Sequence, residues 1–324
     1  MATQSQLTWL ALGATTALGA ASLCWQKHEK RGRGLLLSPS RGSLVDAART
    51  LNRGAGLLAF SVALDSALEH YRGDFANRAM YTPLLTASLS RWARAQGPQD
   101  RSTRAPRRRP TIYLGAGASG LAGTAFHLYN LSKRPGGLCW NNLFYGAPLG
   151  APSALLLSGL LGYYSERLRG ACDEGRPRVF GLPVGEAVAL MATGGLLGTC
   201  AEVALLHFRG SFQNPAMYLP VVAPPVAAGL LASTVVAGPG YPRLRWLSRL
   251  WLRFTAFMGL AGAGFHALGI ARNHGGWRNW RQNLQVGPPL PAPPSFTGLA
   301  LAGLAAHTLL DEENDPARYP RRPG

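Results

Sequence analysis

Apolar residues along this chain are gathered in long blocks that short basic segments separate. The blocks are roughly 17–22 residues long, and a helix needs about 20 apolar residues to cross a bilayer. Nine such blocks begin near residues 7, 51, 79, 111, 147, 182, 215, 251 and 292. The pattern predicts an all-α polytopic membrane protein with about nine transmembrane helices, of which the third is short.

The basic residues indicate how these spans are oriented. Of the 33 Lys and Arg residues, 25 fall on one side of the alternating loops and 8 on the other. Because an excess of Lys and Arg marks the cytoplasmic side, we expect a bacterial inner-membrane protein with its N-terminus outside and its C-terminus inside. No basic residue precedes the first block, which favours a retained helix over a cleaved signal peptide.

The composition also narrows the choice of partners. The formal net charge is +18, but the basic residues lie between the apolar blocks, where membrane topology places them. No nucleic-acid recognition module accompanies the charge, so the lipid bilayer is the predicted partner and nucleic acid is not. The four cysteines form no CxxC pair, and no metal centre is predicted.

Two stretches of the chain repeat each other. Residues 70–83 match residues 207–220 without a gap, at an offset of 137. Two further matches follow in the same order: Phe126-His127 with Phe265-His266 at an offset of 139, and residues 142–152 with residues 283–293 at an offset of 141. The order and spacing indicate an internal duplication.

The duplication predicts the organisation of the chain. The predicted segments are an N-terminal transmembrane helix with a basic cytoplasmic loop (1–50), a first four-helix repeat (51–165), a second four-helix repeat (166–310) and a cytoplasmic tail (311–324). Asp311, Glu312 and Glu313 are expected to form a short solvated end. An even number of spans gives both repeats the same orientation, so all matched motifs should lie on the outer face.

Asp65 and Glu202 are matched acidic residues inside apolar spans, at the offset of 137. Ionisable residues within spans are costly and usually face the bundle interior. One interpretation is a pair of carboxylates that handle protons or bind an ion near a site. The other is a structural role, in which each acid is neutralised by protonation or by Arg72 or Arg209 and only holds helices together.

Four histidines are repeated in the same way: His70, His127, His207 and His266. Three interpretations remain open for them. They could be axial ligands of haem b, because neutral imidazole is a common iron ligand. They could bind a quinone head group or another polar substrate. They could also be structural residues that bond to loop carbonyl groups.

Arg72 and Arg209 are charged residues that are identical in the two copies of the repeated stretch. A guanidinium group suits a carboxylate or an oxyanion, so both are candidates for the same quinone or haem site. Ion pairing with Asp65 or Glu202 is the alternative.

Residues Gly115 to Gly120 spell the glycine pattern of a dinucleotide-binding loop. That loop requires a βαβ unit and an acidic residue about 20 positions later. No acidic residue occurs between Asp100 and Glu166. We therefore expect these small residues to serve close helix packing.

Two four-helix units in parallel orientation, with polar sites on the outer face, resemble the polysulfide-reductase-type (NrfD-like) membrane anchor subunits in architecture. The resemblance covers the eight-span body and rests on span count and duplication, without a shared motif. It implies a membrane subunit of a redox complex that exchanges electrons between quinone and a peripheral iron–sulfur or molybdenum subunit on the outer face. Such a subunit needs its partner for catalysis.

Within that resemblance, Asp65 and Glu202 would handle the protons of quinone chemistry, and the four repeated histidines would contact quinone or haem b. Two other functions are open. One is a transporter of a small anion or metabolite, because duplicated units also build transporters. The other is a structural or assembly membrane protein without a ligand.

Overall fold

The computed structural model describes residues 42–96, 108–170, 178–179 and 181–314. Within them the chain forms ten α-helices, and its only strands are two residues long. The prediction of an all-helical protein is confirmed. The first predicted span, which begins near residue 7, lies outside the described residues.

Eight of the α-helices are long, and two, α4 and α9, are short. The helices are α1 (Gly42–Arg72), α2 (Thr82–Gln96), α3 (Arg108–Ser132), α4 (Trp140–Tyr145), α5 (Gly150–Gly170), α6 (Val184–Arg209), α7 (Leu219–Ala237), α8 (Pro242–Arg272), α9 (Trp280–Val286) and α10 (Pro294–Glu313). Three 3-10 helices lie in the loops (Arg78–Tyr81, Pro215–Tyr218 and Gly276–Asn279). Strands β1 (Arg178–Val179) and β2 (Leu182–Pro183) pair antiparallel before α6.

One long helix lies at each predicted span that falls within the described residues, but the boundaries differ. Helix α1 begins at Gly42 rather than near residue 51, and α8 begins at Pro242 rather than near residue 251. Helix α5 continues to Gly170, past the predicted repeat boundary at residue 165. The helices extend beyond the apolar blocks because a helix continues into polar sequence until a cap or a breaker ends it.

Among the residues that the structure describes, three segments are long and apolar enough to cross a membrane: Val184–Arg209, Pro215–Ala237 and Pro242–Arg272. Only 33%, 33% and 22% of their most apolar windows are buried inside the protein. A soluble protein rarely exposes so much contiguous apolar surface, and lipid is the solvent that tolerates it. These segments indicate that the protein is associated with a membrane.

The long helices pack as two rings of four. Helices α1, α2, α3 and α5 contact one another in order and close a first ring, and helices α6, α7, α8 and α10 close a second. The rings meet mainly where α1 packs on α10, and more briefly where α5 meets α6. The buried core is therefore built chiefly from α1, α5, α6 and α10.

The glycine-rich segment of α3 serves helix packing, as expected. A Cβ atom on Gly117 would lie 3.7 Å from the Leu156 carbonyl oxygen, and one on Gly120 would lie 2.3 Å from the Leu156 nitrogen. On the opposing helix, a Cβ on Gly159 would lie 2.3 Å from the Gly117 nitrogen. Backbones this close require small residues on both helices.

The prediction of a solvated acidic end at residues 311–313 was wrong. These residues form the last turn of α10, and Glu312 is only 2% exposed. Asp311 forms ion pairs with two arginines of α8, and Glu313 Oε1 accepts a hydrogen bond from the Gly185 backbone nitrogen at 2.7 Å. The first turn of α6 has backbone N–H groups without helical acceptors, so a carboxylate is favourable there.

Candidate functional site

The four repeated histidines lie near the C-terminal ends of α1, α3, α6 and α8. They share one end of the bundle, which we call the histidine end. His70 and His127 are electrostatic neighbours in the first ring, and His207 and His266 are neighbours in the second. The structure thus brings the predicted histidines together in two pairs.

The loop after α1 folds back onto His70. The imidazole Nδ1 lies 2.7 Å from the Met80 carbonyl oxygen. The Phe75 ring stacks on Tyr81 with a centroid distance of 4.4 Å and meets His70 edge-on at 6.2 Å. The Asn77 side chain accepts the backbone N–H of the second residue after it, which begins the 3-10 helix. These contacts fix the loop against the end of α1.

The loop after α6 has the same geometry 137 residues later. His207 Nδ1 lies 2.8 Å from the Met217 carbonyl oxygen. Phe212 stacks on Tyr218 at 4.5 Å, and Asn214 begins the 3-10 helix. The two matched asparagines therefore cap matched 3-10 helices.

Both loops turn through left-handed backbone at residues other than glycine. The φ angles are +52° at Asp74 and +47° at Phe75, and +55° at Ser211 and +45° at Phe212. Such residues are uncommon outside glycine and persist where surrounding contacts over-determine them. The stacked aromatic rings and the histidine contact hold these residues in the left-handed conformation. This shared geometry explains why the sequence match runs through the loop without a gap.

The second histidine of each ring is bound in a matching way. His127 Nδ1 lies 2.6 Å from the Pro148 carbonyl oxygen, and His266 Nδ1 lies 2.8 Å from the Pro289 carbonyl oxygen. The acceptors belong to the segments that follow α4 and α9. Each histidine therefore ties a long helix to the segment that precedes the last helix of its ring.

The matched asparagines of α4 and α9 hold the turns before these short helices. Asn142 Nδ2 donates to the carbonyl oxygens of Pro135 and Gly137, at 2.9 and 2.7 Å. Asn283 Nδ2 donates to those of His274 and Gly276, at 3.1 and 2.8 Å. The role of both residues is structural, and both lie inside the short helices rather than at their N-caps.

The histidine contacts fix which ring nitrogen carries the proton. A carbonyl oxygen only accepts hydrogen bonds, so Nδ1 must be the donor in all four imidazoles. In the neutral ring, Nε2 is then left with a lone pair. All four rings are only half-buried. The site therefore contains four oriented nitrogens that can accept a proton or a hydrogen bond.

Asp65 and Glu202 lie on α1 and α6, the first helix of each ring. They are electrostatic neighbours, and Glu69 lies near both. Glu202 Oε1 accepts a hydrogen bond from the Gly150 nitrogen at 3.3 Å, at the first residue of α5. Residue Pro291 occupies the matching position, at the offset of 141, and has no N–H to give to Asp65. The two acids thus occupy matched positions, but only Glu202 accepts this backbone hydrogen bond.

The two repeated arginines do not form salt bridges with these acids. Arg72 pairs with Glu69 and donates to the Gln285 carbonyl oxygen at the end of α9. The Arg209 guanidinium lies over the rings of Phe144 and Tyr145 in α4, at 5.7 and 5.6 Å. Each arginine therefore reaches from its own ring to the short helix of the other ring.

The opposite end of the bundle holds polar contacts that the sequence search missed. Arg109 and Glu166 form a buried ion pair at 3.5 Å. The residues that match them at offsets of 139 and 141 are Ser248 and His307, and these are hydrogen-bonded at 2.8 Å. A comparison of matched positions without identity would have found this pair, because charge is replaced on both helices at once.

No group of three or more His, Cys, Asp or Glu side chains that could hold a metal ion occurs within the described residues. Comparisons with known proteins give no relative: no family model, no curated protein and no solved structure matches the chain. The function must therefore be argued from the site itself.

Proposed function

We propose that the chain is a duplicated membrane protein with nine spans, in which the two rings are parallel four-helix repeats and the histidine end faces outside. The proposal is supported by the hydrogen bonds and stacked rings that recur at offsets of 137, 139 and 141. It is also supported by the 25-to-8 distribution of Lys and Arg residues between alternate loops. The protein would lie in a bacterial inner membrane.

Within this arrangement we propose that the protein is the membrane subunit of a redox complex, which anchors a partner and exchanges electrons with quinone near the outer face. The observation that carries the proposal is the common state of the four repeated histidines. Each has Nδ1 bound to a carbonyl and Nε2 left as an acceptor. An acceptor nitrogen suits the reduced form, because a quinol hydroxyl group donates a hydrogen bond.

The chemistry is the two-electron oxidation of a quinol. One quinol hydroxyl group donates to an imidazole Nε2 atom and the other to the Glu202 carboxylate, and the quinol loses two protons and two electrons to give the quinone. The protons pass from the imidazole and from Glu202 to Asp65 and then to the outer water, since intramembrane acids commonly relay protons. The electrons leave to a redox group of the partner subunit.

The same nitrogens also suit haem b, whose axial ligand is a neutral imidazole with its other nitrogen hydrogen-bonded. When bound, haem would supply one-electron relay between quinol and partner. His70 and His127, or His207 and His266, are the residues that would hold it.

A specific observation also favours a second function, that of a structural or assembly protein without a ligand. The Nδ1 contacts already explain all four histidines as anchors for the loops at the histidine end. The two functions differ in whether Nε2 is needed.

Asparagine separates them at these positions. Its amide group can donate to the same carbonyl oxygen as Nδ1, but it has nothing in place of Nε2. We expect the quadruple variant His70→Asn, His127→Asn, His207→Asn and His266→Asn to fold and to lose quinol oxidation in membranes. The matched quadruple alanine variant should lose both stability and activity. Full activity of the asparagine variant would favour the structural function.

The partner is tested by purification of the tagged protein from its native membrane in mild detergent. Mass spectrometry should find a stoichiometric subunit that carries a redox cofactor and faces the outside, and a visible absorption spectrum should report haem if it is bound. Recovery of the chain alone, without partner or chromophore, would contradict the redox proposal and favour the transporter. Full activity of the pathway in which the protein works, measured in the double variant Asp65→Asn and Glu202→Gln, would exclude both the redox function and the transporter.

A further inference from the structure

The two contacts between the rings differ in how closely the helices approach. Helices α1 and α10 cross in backbone contact at Gly54 and Gly298. A Cβ atom on Gly54 would lie 2.6 Å from the Gly298 carbonyl oxygen, and one on Gly298 would lie 2.8 Å from the Gly54 carbonyl oxygen. Helices α5 and α6 contact each other over a much shorter stretch. The interface between α1 and α10 is therefore closed, whereas the matching interface between α5 and α6 is not.

The residues at the matching crossing explain the difference. At offsets of 137 and 141, the counterparts of Gly54 and Gly298 are Met191 on α6 and Leu157 on α5. Both are large and only partly buried. Side chains of this size keep two helix backbones apart, whereas glycine lets them touch. The cleft between α5 and α6 is therefore built into the sequence.

A row of small residues leads along α6 to the acid at the histidine end of the cleft. Gly194, Gly198 and Glu202 are four residues apart, so they lie in one row on the helix surface. A Cβ atom on either glycine would meet nothing within 4 Å. Leu190 and Leu197, on the adjoining face, are 50% and 44% exposed. The row is open and apolar, and it ends at a carboxylate.

The matching row on α1 is filled. Its counterparts are Leu57 and Ser61, and the Ser61 hydroxyl group bonds to the Pro291 carbonyl oxygen and to Ser295 Oγ. Those contacts join α1 to α10. Open space beside an acid is thus specific to the α5–α6 side.

Contacts at the histidine end close the cleft above Glu202. The carboxyl group lies against the first residue of α5, where a Cβ on Gly150 would lie 1.4 Å from Oε2. Beyond it, Arg209 lies over Phe144 and Tyr145 and joins α6 to α4. A molecule that reaches Glu202 has therefore to approach from the side of the bundle, between α5 and α6.

We propose that the cleft between α5 and α6 is a lateral portal through which a quinol enters from the bilayer, with its ring at Glu202 and its isoprenoid tail along Gly194 and Gly198. The inference rests on the proposed function and specifies the working half of the site. A hydroxyl-bearing head and an apolar tail fit a carboxylate acceptor at the end of an apolar row. Asp65, on the closed side, receives protons and does not contact the ring.

Openness of the cleft is measured without any quinone. A small apolar carbene precursor, trifluoromethyl-phenyldiazirine, is photolysed with the protein in lipid nanodiscs, and labelled residues are mapped by mass spectrometry. We expect label on Leu157 and Met191, and none on Leu58 of α1 or Phe296 of α10, which are fully buried where those two helices meet. The variant Gly198→Trp should remove the label from Leu157. Gly264→Trp is the matched control, because a Cβ there also meets nothing within 4 Å.

A photoreactive azidoquinone in the same nanodiscs tests the occupant. It should label α5 and α6, and both excess decylubiquinol and the Gly198→Trp variant should abolish that label, with Gly194→Trp as a second blocking variant. Absence of carbene label at Leu157 would overturn the portal, whether or not the protein binds quinone. Carbene label without azidoquinone label would leave the cleft open and overturn both its occupant and the quinone function.

Discussion

The crossing of α1 and α10 gives a prediction whose size follows from the structure. In Gly54→Ala, the new Cβ atom would lie 2.6 Å from the Gly298 carbonyl oxygen, and neither backbone can rotate away as a side chain could. Overpacking of this kind costs about 1–3 kcal/mol. Replacement of a helical glycine by alanine stabilises the helix by about 0.5–1 kcal/mol, because alanine has the higher helix propensity. We therefore expect a net loss of about 0–2.5 kcal/mol in the free energy of unfolding.

The matched control is Gly264→Ala in α8, where the added Cβ meets nothing within 4 Å. It keeps the propensity gain and lacks the clash, so it should stabilise the protein by about 0.5–1 kcal/mol. The assay is unfolding by sodium dodecyl sulfate in mixed micelles, followed by circular dichroism at 222 nm. Equal free energies of unfolding for the two variants would refute the reasoning, because the close approach of α1 and α10 would then be absent.

Three further predictions concern other contacts. Asn77→Ala should cost about 1 kcal/mol by the same titration, because it removes the cap of a 3-10 helix, whereas Asn77→Asp keeps the acceptor and should cost less. Asp311→Ala leaves a buried α8 guanidinium without its carboxylate and should cost about 2–3 kcal/mol, below the range for fully buried pairs because Asp311 is partly exposed. Gly150→Ala displaces the flexible end of Glu202 from the Gly150 nitrogen, so it should cost about 1 kcal/mol of stability through loss of that hydrogen bond. It should also weaken decylubiquinol binding in nanodiscs about tenfold, because the displaced carboxylate no longer accepts the quinol hydroxyl group.

Long apolar blocks were enough to place the long helices, because hydrophobic length is the strongest signal a membrane helix carries. Their ends were less accurate. Gly42 and Pro242 begin helices in polar sequence, where hydropathy contains no signal. The acidic end of α10 was wrong for a related reason: the arginines that compensate Asp311 lie more than sixty residues earlier in the chain, and only the packing of α8 on α10 brings them together.

The candidate site could likewise be predicted only in part. Exact identities at fixed offsets identified the histidines and the matched segments, and the loops in these segments have the same geometry at Asn77 and Asn214. The contacts that Arg72 and Arg209 make across the two rings could not be read from the sequence, because these partners lie far away in the chain. The proposed opening between α5 and α6 was also hidden, since it depends on positions at which the two matched stretches differ.

The binding of quinol to the site tests the central proposal most directly. Decylubiquinol is titrated into the protein in nanodiscs, and tightly bound quinol is measured after removal of the free ligand, with empty nanodiscs as the blank. Wild-type protein should give a saturable isotherm, and the double variant Asp65→Asn and Glu202→Gln should bind at least about tenfold more weakly, as expected when the quinol hydroxyl group loses its hydrogen bond to the charged Glu202 carboxylate. Identical isotherms for the two proteins, or no saturable binding above the blank, would contradict the assignment of a quinone site to the histidine end.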